Sequence, residues 1–429
     1  MLTAIRISFV LLVFGFFIHV SYQTYTSPTA ATTEGRQLAL FPAQPATYEK
    51  VQPFFRDIDT WASDRMHYRQ EFIKWLNAAR YQLGYSTIDG TVVGKDGWLF
   101  YNSKDSREQE DARGSVQFTN DELNQWKQYL LYRDSNARKF GSKFIYLMIP
   151  NKSTIYSEYL PNNFTRLNDN THLQQILDVM KDSGVSVPDT RPILLEGKKQ
   201  GQIYLKNDTH WNMLGADYVN YLVIQELAKS FPDLKPTLFP FHSASGEEEE
   251  QMHHHADLFF QIGLNELHDI NREPQVPVIE AIGKCVGTNQ PDNLRNWPLA
   301  VGDCSHAATS ATDPEWHHLL ANEFSYIGQD MQSYLFHSTI NDTGRYSLVM
   351  MHDSYYEMLQ PFFSNQFKRV RYVAMGRPVD MKPWGYLEAL HSDIIIEEIL
   401  ERNLKGAVPR PGLDYPEDFH AVNSAAGHR

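Results

Sequence analysis

Two short segments hold the residues whose types and spacing best suit chemistry. Asp208-Thr-His-Trp211 sets a carboxylate two residues before an imidazole. At a strand end or turn, that carboxylate can accept from one ring nitrogen and leave the other as a base. Far downstream, Met350-Met-His-Asp-Ser354 ends an apolar stretch on a polar turn before Tyr355-Tyr-Glu-Met-Leu-Gln360. A serine at such a strand-to-helix junction stands at the carboxyl edge of a parallel sheet, with its own backbone N–H and the next one free to face an oxyanion. Asp208, His210 and Ser354 thus have the types of an orienting acid, a base and a nucleophile. Each segment alone also reads as a helix cap with a polar neighbour. The pair says more, because open α/β sheets gather reactive side chains on one edge.

Other groups are weighed beside these. Lys152 follows an apolar strand ending at Ile149-Pro150 and is expected either at the same edge, assisting ligand binding, or on a solvated loop. Trp211, Tyr355, Tyr356 and Arg371 are candidates for a sugar-binding platform, against the alternative that they fill core. His253-His-His255 beside Glu247 to Glu250 invites a metal, but consecutive histidines cannot all face one ion from regular structure, so no metal is expected there. Cys285 and Cys304 are a disulfide candidate if the compartment is oxidising. No glycine-rich phosphate cradle occurs, and no cofactor is expected.

The elements that must position these groups alternate in the manner of an α/β sheet. A helix is predicted from Asp121 to about Phe140, capped by Thr119 or Asn120. Lys143 to Ile149 is an unbroken apolar run of the kind a buried central strand requires. A helix over about 172–182, short strands at 185–187 and 202–205, and a helix from Asn212 to about Phe231 follow. Strands resume at Ser347–Met351, Val370–Met375 and Asp393–Ile396. The reading divides the chain into an anchor or signal over 1–24, a tether and helices over 25–85, a catalytic domain over 86–405 with an insertion at about 262–330, and a mobile tail over 406–429.

Composition bounds the partners. The chain has 429 residues, and its 39 basic against 52 acidic side chains give a net charge of −13, which argues against nucleic acid or an anionic membrane surface as the main partner. Aromatics at 13% favour a neutral ligand or a polymer gripped by rings. Ile7 to Val20 is apolar apart from Ser8, Gly15 and His19 and follows Arg6. It reads as a short membrane anchor, a cleaved secretory signal or a buried helix, since a span needs about 20 residues. In the first two cases Arg6 keeps the N-terminus on the cytoplasmic side and everything after about Ser21 is exported.

Five segments, in order, resemble the alginate O-acetyltransferase-like, DHHW-type SGNH hydrolase-like family. They are Val93-Gly-Lys-Asp-Gly-Trp-Leu-Phe100, Tyr146 to Pro161, Tyr204 to Ala216 with its D-x-H-W core, Met351-His-Asp-Ser-Tyr-Tyr356, and Asp393 to Arg402. The resemblance implies an SGNH hydrolase-like parallel sheet flanked by helices, with Ser354 as nucleophile, His210 as base and Asp208 orienting it. It implies an exported, membrane-tethered enzyme that moves acetyl through an acyl-serine onto polysaccharide hydroxyls in a bacterial periplasm, beside a polytopic inner-membrane partner that delivers the acetyl group. An acetylesterase using water, or a non-catalytic polysaccharide-binding scaffold, remains the alternative. His352 stands where the family carries glycine, which bears on the oxyanion site. Ala256-Asp-Leu258 resembles a structural G-D-L block of the same proteins.

Overall fold

The computed structural model describes residues 2–26, 38–86, 90–243, 256–264, 277–279, 336–341, 343–374 and 392–419. Cys285, Cys304, the 247–255 acidic and histidine run and nearly all of the expected insertion lie outside the described residues. The chain forms two units, Met1–Leu83 and Gly84–Arg429.

In the first unit, α1 (Leu2–Thr26) contains an apolar stretch, Arg6–Thr24, of a length and composition that would cross a membrane. Its side chains are largely exposed, so it is not the core helix of this fold. Two amphipathic helices follow, α2 (Val51–Arg65) and α3 (Arg69–Gln82). The described end of the expected tether packs on α2: Asp64 accepts from the Ala39 N–H (2.8 Å), Arg65 donates to Ala39 O (2.7 Å), and the Phe41 and Trp61 rings meet edge-on.

The second unit opens with a hairpin of β1 (Thr91–Val93) and β2 (Leu99–Tyr101). Then come α4 (Glu108–Ala112), α5 (Asn120–Lys139), β3 (Lys143–Ile149), α6 (Lys152–Ile155), α7 (His172–Met180), α8 (Arg191–Lys198) and α9 (Met213–Leu227). Next are β4 (Phe241–Ser243), α10 (Asp257–Gln261), β5 (Pro277–Ile279) and β6 (Phe336–Ile340). β7 (Ser347–His352), α11 (Gln360–Gln366), β8 (Arg369–Ala374) and β9 (Ile394–Leu400) complete the list. The helix limits follow local chemistry: α5 starts at a capping box in which Thr119 accepts from the Glu122 N–H and Glu122 accepts from the Thr119 N–H.

The central sheet has the order β3-β9-β7-β8-β6. The first four strands are parallel, and β6 is an antiparallel edge on β8. Both faces are covered, which explains the unbroken apolar runs. Ile145, Leu147, Leu348 and Met350 point toward α8, α9 and α11, while Phe144, Tyr146, Val349 and Met351 point toward α5 and α7. This is the expected α/β sheet flanked by helices.

Two predicted strands shrink. Residues 185–187 contribute one bridge, Ile145 to Ser186, and 202–205 one antiparallel bridge, Tyr204 to Trp211. Asp208 and His210 therefore do not end a strand of the sheet; they sit in a tight loop closed by Leu205 N–H to His210 O and Asn212 N–H to Ile203 O, both 3.0 Å. The described part of the expected tail is also held: Val408 packs on the α5–α7 core, Tyr415 is buried, and the Phe419 ring lies 5.3 Å from that of Tyr132.

Candidate active site

The serine turn is fixed by its neighbours. After β7, Asp353 caps a 3-10 helix over Ser354–Met358 by accepting from the Tyr355 N–H at 3.0 Å. Its other oxygen accepts from the Leu400 N–H (2.9 Å) and Asn403 Nδ2 (3.3 Å), so the turn is tied to the end of β9. The Asp353 N–H donates to Glu398 (3.0 Å), a carboxyl whose pKa burial and the nearby Asp353 charge push well above the usual range. One expected oxyanion donor, the Tyr355 N–H, is thereby engaged by Asp353. The His352 ring is buried, stacked 3.4 Å from Tyr356, with Nδ1 2.9 Å from Asp353 O. The imidazole's bulk is thus absorbed by the core.

The Asp208–His210 loop is clamped from below. Lys152 is buried, and its ammonium donates to Asp208 O (2.6 Å), Leu205 O (3.0 Å) and Lys206 O (3.2 Å). It binds the loop backbone, where either ligand binding or a solvated loop position was expected, because a buried ammonium needs such acceptors. Trp211 Nε1 donates to Tyr355 O (2.9 Å), and the Tyr355 hydroxyl donates to Thr209 O. These two rings cross-link the loops that carry His210 and Ser354. Trp211, Tyr355, Tyr356 and Arg371 are all buried, so none forms a surface sugar platform. Arg371 lies in a strand covered on both faces, and Tyr356 is spent on stacking with His352. Gly215 at the start of α9 lets this packing close: a Cβ there would stand 2.6 Å from Ile203 O.

Within this frame the three side chains meet. Asp208 Oδ1 accepts from the His210 backbone N–H (2.8 Å) and lies 2.7 Å from His210 Nδ1; His210 Nε2 lies 2.7 Å from Ser354 Oγ. Asp208 is buried, His210 is 18% exposed, and Ser354 is exposed. Burial alone would lower the His210 pKa, but the Asp208 charge and hydrogen bond outweigh it and raise it to about 9. Burial likewise opposes ionisation of Asp208, and the same pairing overrides it and holds the carboxyl below its usual range.

Sequence reasoning overlooked three neighbours. Asp257 on α10 donates its backbone N–H to Asp208 Oδ2 (2.9 Å) and accepts from the Thr209 N–H and hydroxyl, both 2.7 Å. Burial and the Asp208 charge raise its pKa. The only sequence signal was the Ala256-Asp-Leu258 block, read as structural. Glu357 follows Ser354 by three residues, and burial, with the Asp208 charge opposing that of His210, raises its pKa to about 7. Arg402 stacks 4.6 Å over Tyr101 and 6.0 Å from Tyr355, 3.7 Å from Glu108. Asp208, His210 and Asp257 bring three ligand-type atoms within 4.8 Å of one another. Their lone pairs already serve Thr209 and each other, an arrangement suited to a proton relay.

Residues 91–279 match the family model described as SGNH hydrolase-like domain, acetyltransferase AlgX. That stretch includes Asp208, His210 and Asp257 and stops short of Ser354. "Probable alginate O-acetylase AlgJ" of Pseudomonas aeruginosa is 28% identical over 214 residues, 47% of this chain and 50% of that protein. The namesake of Pseudomonas syringae pv. tomato is 30% identical over 175 residues, 39% of this chain and 42% of its own. The chain therefore spans about half the length of these curated relatives. Among solved structures, the O-acetyltransferase domain of Pseudomonas putida AlgJ is 14% identical, with 73% of this chain and 92% of that one covered and a TM-score of 0.41. A DHHW family protein from Eubacterium siraeum is 15% identical, with 74% and 92% covered and a TM-score of 0.44. Over residues 91–279 the chain is thus similar to that SGNH hydrolase-like domain model, and over about half its length to the curated alginate O-acetylases.

Proposed function

We propose that this protein is a polysaccharide O-acetyltransferase working through an acetyl-serine. The observation that carries the proposal is the unbroken relay from Asp208 through His210 to the exposed Ser354 Oγ, with both links at 2.7 Å. Ser354 Oγ attacks the acetyl carbonyl of a donor while its proton passes to His210 Nε2. The tetrahedral oxyanion collapses, the bond to the donor's leaving oxygen breaks, and His210 returns the proton to that oxygen. An acceptor hydroxyl then attacks the acetyl-serine with its proton taken by His210, and the proton ends on the restored Ser354 hydroxyl. Asp208 stabilises the imidazolium in each half. The relatives' names support an alginate-like acceptor, and the net charge of −13 makes a neutral glycan an equal candidate. The 2.7 Å Ser354–His210 contact supports an enzyme over a non-catalytic scaffold.

In the same proposal α1 is an uncleaved anchor in a bacterial inner membrane, the catalytic unit is periplasmic, and a polytopic acyltransferase supplies acetyl. The test incubates the protein with an activated acetyl ester and follows intact mass. A single acetyl adduct that is absent in Ser354→Ala and discharged faster by oligosaccharide is expected. No adduct, or one that persists in Ser354→Ala, overturns the nucleophile assignment. Equal decay with and without oligosaccharide makes the enzyme an esterase.

A further inference from the structure

The two residues before α3, and Phe72 in its first turn, touch α1. The Thr24 hydroxyl accepts from the His67 N–H (2.9 Å), His19 Nε2 is 3.4 Å from the Tyr68 hydroxyl, and Phe16 meets Phe72 edge-on with centroids 5.8 Å apart. These contacts climb α1 from Thr24 back to Phe16, about 12 Å of helix axis at 1.5 Å per residue. If Arg6–Thr24 spans the bilayer, the His67 backbone sits at the outer end of the span, and the Tyr68 and Phe72 rings reach down along α1 into the acyl region of the outer leaflet.

From that point α3 presents an uncovered apolar stripe. Phe72, Trp75, Leu76 and Leu83 are 38%, 65%, 51% and 72% exposed, and Ala79 between them is exposed too. Their spacing puts them on one helix face, while Asn77, Ala78 and Tyr81 are buried. Exposed apolar residues are ordinary singly but not as a row of four large ones. The helix carries Arg69, Lys74 and Arg80 against Glu71, a basic balance inside a strongly acidic chain. An apolar face with a basic surplus is what an in-plane helix at an anionic bilayer surface needs.

We propose that the Phe72–Leu83 face of α3 is a second membrane contact, lying in the headgroup–acyl boundary beside α1. It rests on the anchor reading of α1 and deepens it: the chain grips the bilayer by a span and an interfacial helix.

The test reconstitutes the full chain in phosphatidylcholine–phosphatidylglycerol vesicles with plain or brominated acyl chains. The fluorescence difference between wild type and Trp75→Phe isolates Trp75. The expected result is loss of most of that difference in brominated vesicles, with Leu76→Glu restoring it while the chain stays resistant to alkaline carbonate. A Trp75 signal untouched by bromine in a carbonate-resistant chain overturns the proposal and leaves the anchor standing. The same untouched signal in a chain that cross-links as a dimer through α3 assigns the stripe to a second copy. Extraction by carbonate overturns the anchor and this proposal together. None of these readouts depends on acetyl transfer.

Discussion

Asp208→Asn changes one charge at nearly constant shape. In the native protein both carboxylate oxygens only accept: Oδ1 from the His210 backbone N–H and ring Nδ1, Oδ2 from the Asp257 N–H. An amide offers one accepting oxygen and one donating NH2, so either orientation sets a donor against a donor. If the NH2 turns to Nδ1, that nitrogen must give up its hydrogen and Nε2 must carry it, the wrong tautomer for taking the Ser354 proton. The charge itself has a size. Burial lowers the His210 pKa, and the Asp208 charge and hydrogen bond more than offset it, with Asp257 and Glu357 adding to a rise from 6.5 to about 9; without Asp208 the pKa falls. The net rise is worth about 3 kcal/mol. A transition state that holds the imidazolium then slows on the order of 100-fold from charge alone, and about 10²–10⁴-fold with the tautomer loss. The assay is the rate of acetyl-serine formation by intact mass between pH 6 and 10. Wild type should accelerate as pH rises through about 9, and the variant should be slow with its midpoint shifted to lower pH. Stability runs the opposite way with pH. A raised folded pKa means the pairing contributes fully below the unfolded value of 6.5, down to where Asp208 itself protonates, and is lost as pH rises through about 9. The denaturation gap between wild type and variant should therefore narrow at alkaline pH, leaving the share due to the mispaired backbone donors. A variant within about threefold of wild type, or an unmoved midpoint, refutes the relay.

Three further substitutions probe what holds the relay. Lys152→Met leaves three loop carbonyls without their charged donor; allowing for the relieved cost of burying an ammonium, urea unfolding should show a loss of about 2–4 kcal/mol, and acylation should slow without any change in the acceptor's apparent affinity. Trp211→Phe removes the link to Tyr355 O and should cost about 1–2 kcal/mol and slow acylation, which would be checked by thermal unfolding and intact-mass kinetics. Gly215→Ala drives a Cβ against Ile203 O, so the backbone must shift; a loss of about 1–3 kcal/mol in thermal unfolding is expected, with slower acylation because the same loop carries His210.

How much of this was legible beforehand differs by element. α5 and the four parallel strands were readable, because a capping box and unbroken apolar runs are local signals and both sheet faces are buried. The strands at 185–187 and 202–205 were overcalled: short apolar triplets look alike whether they pair fully or through a single bridge. The aromatic platform failed for a related reason. Trp211, Tyr355 and Tyr356 have the same composition whether they face solvent or stitch two loops together, and only packing decided it.

Residue type and short spacing were enough to read the α/β alternation, the apolar N-terminal helix, and Asp208, His210 and Ser354 as candidates. The tertiary structure alone decided that His210 and Ser354, 144 residues apart, meet at 2.7 Å. It alone made Lys152 a backbone clamp and brought Asp257 under Asp208. The reason is physical: a side chain's pKa, partners and exposure are set by what the rest of the chain brings within a few ångströms, and no local pattern encodes the far partner.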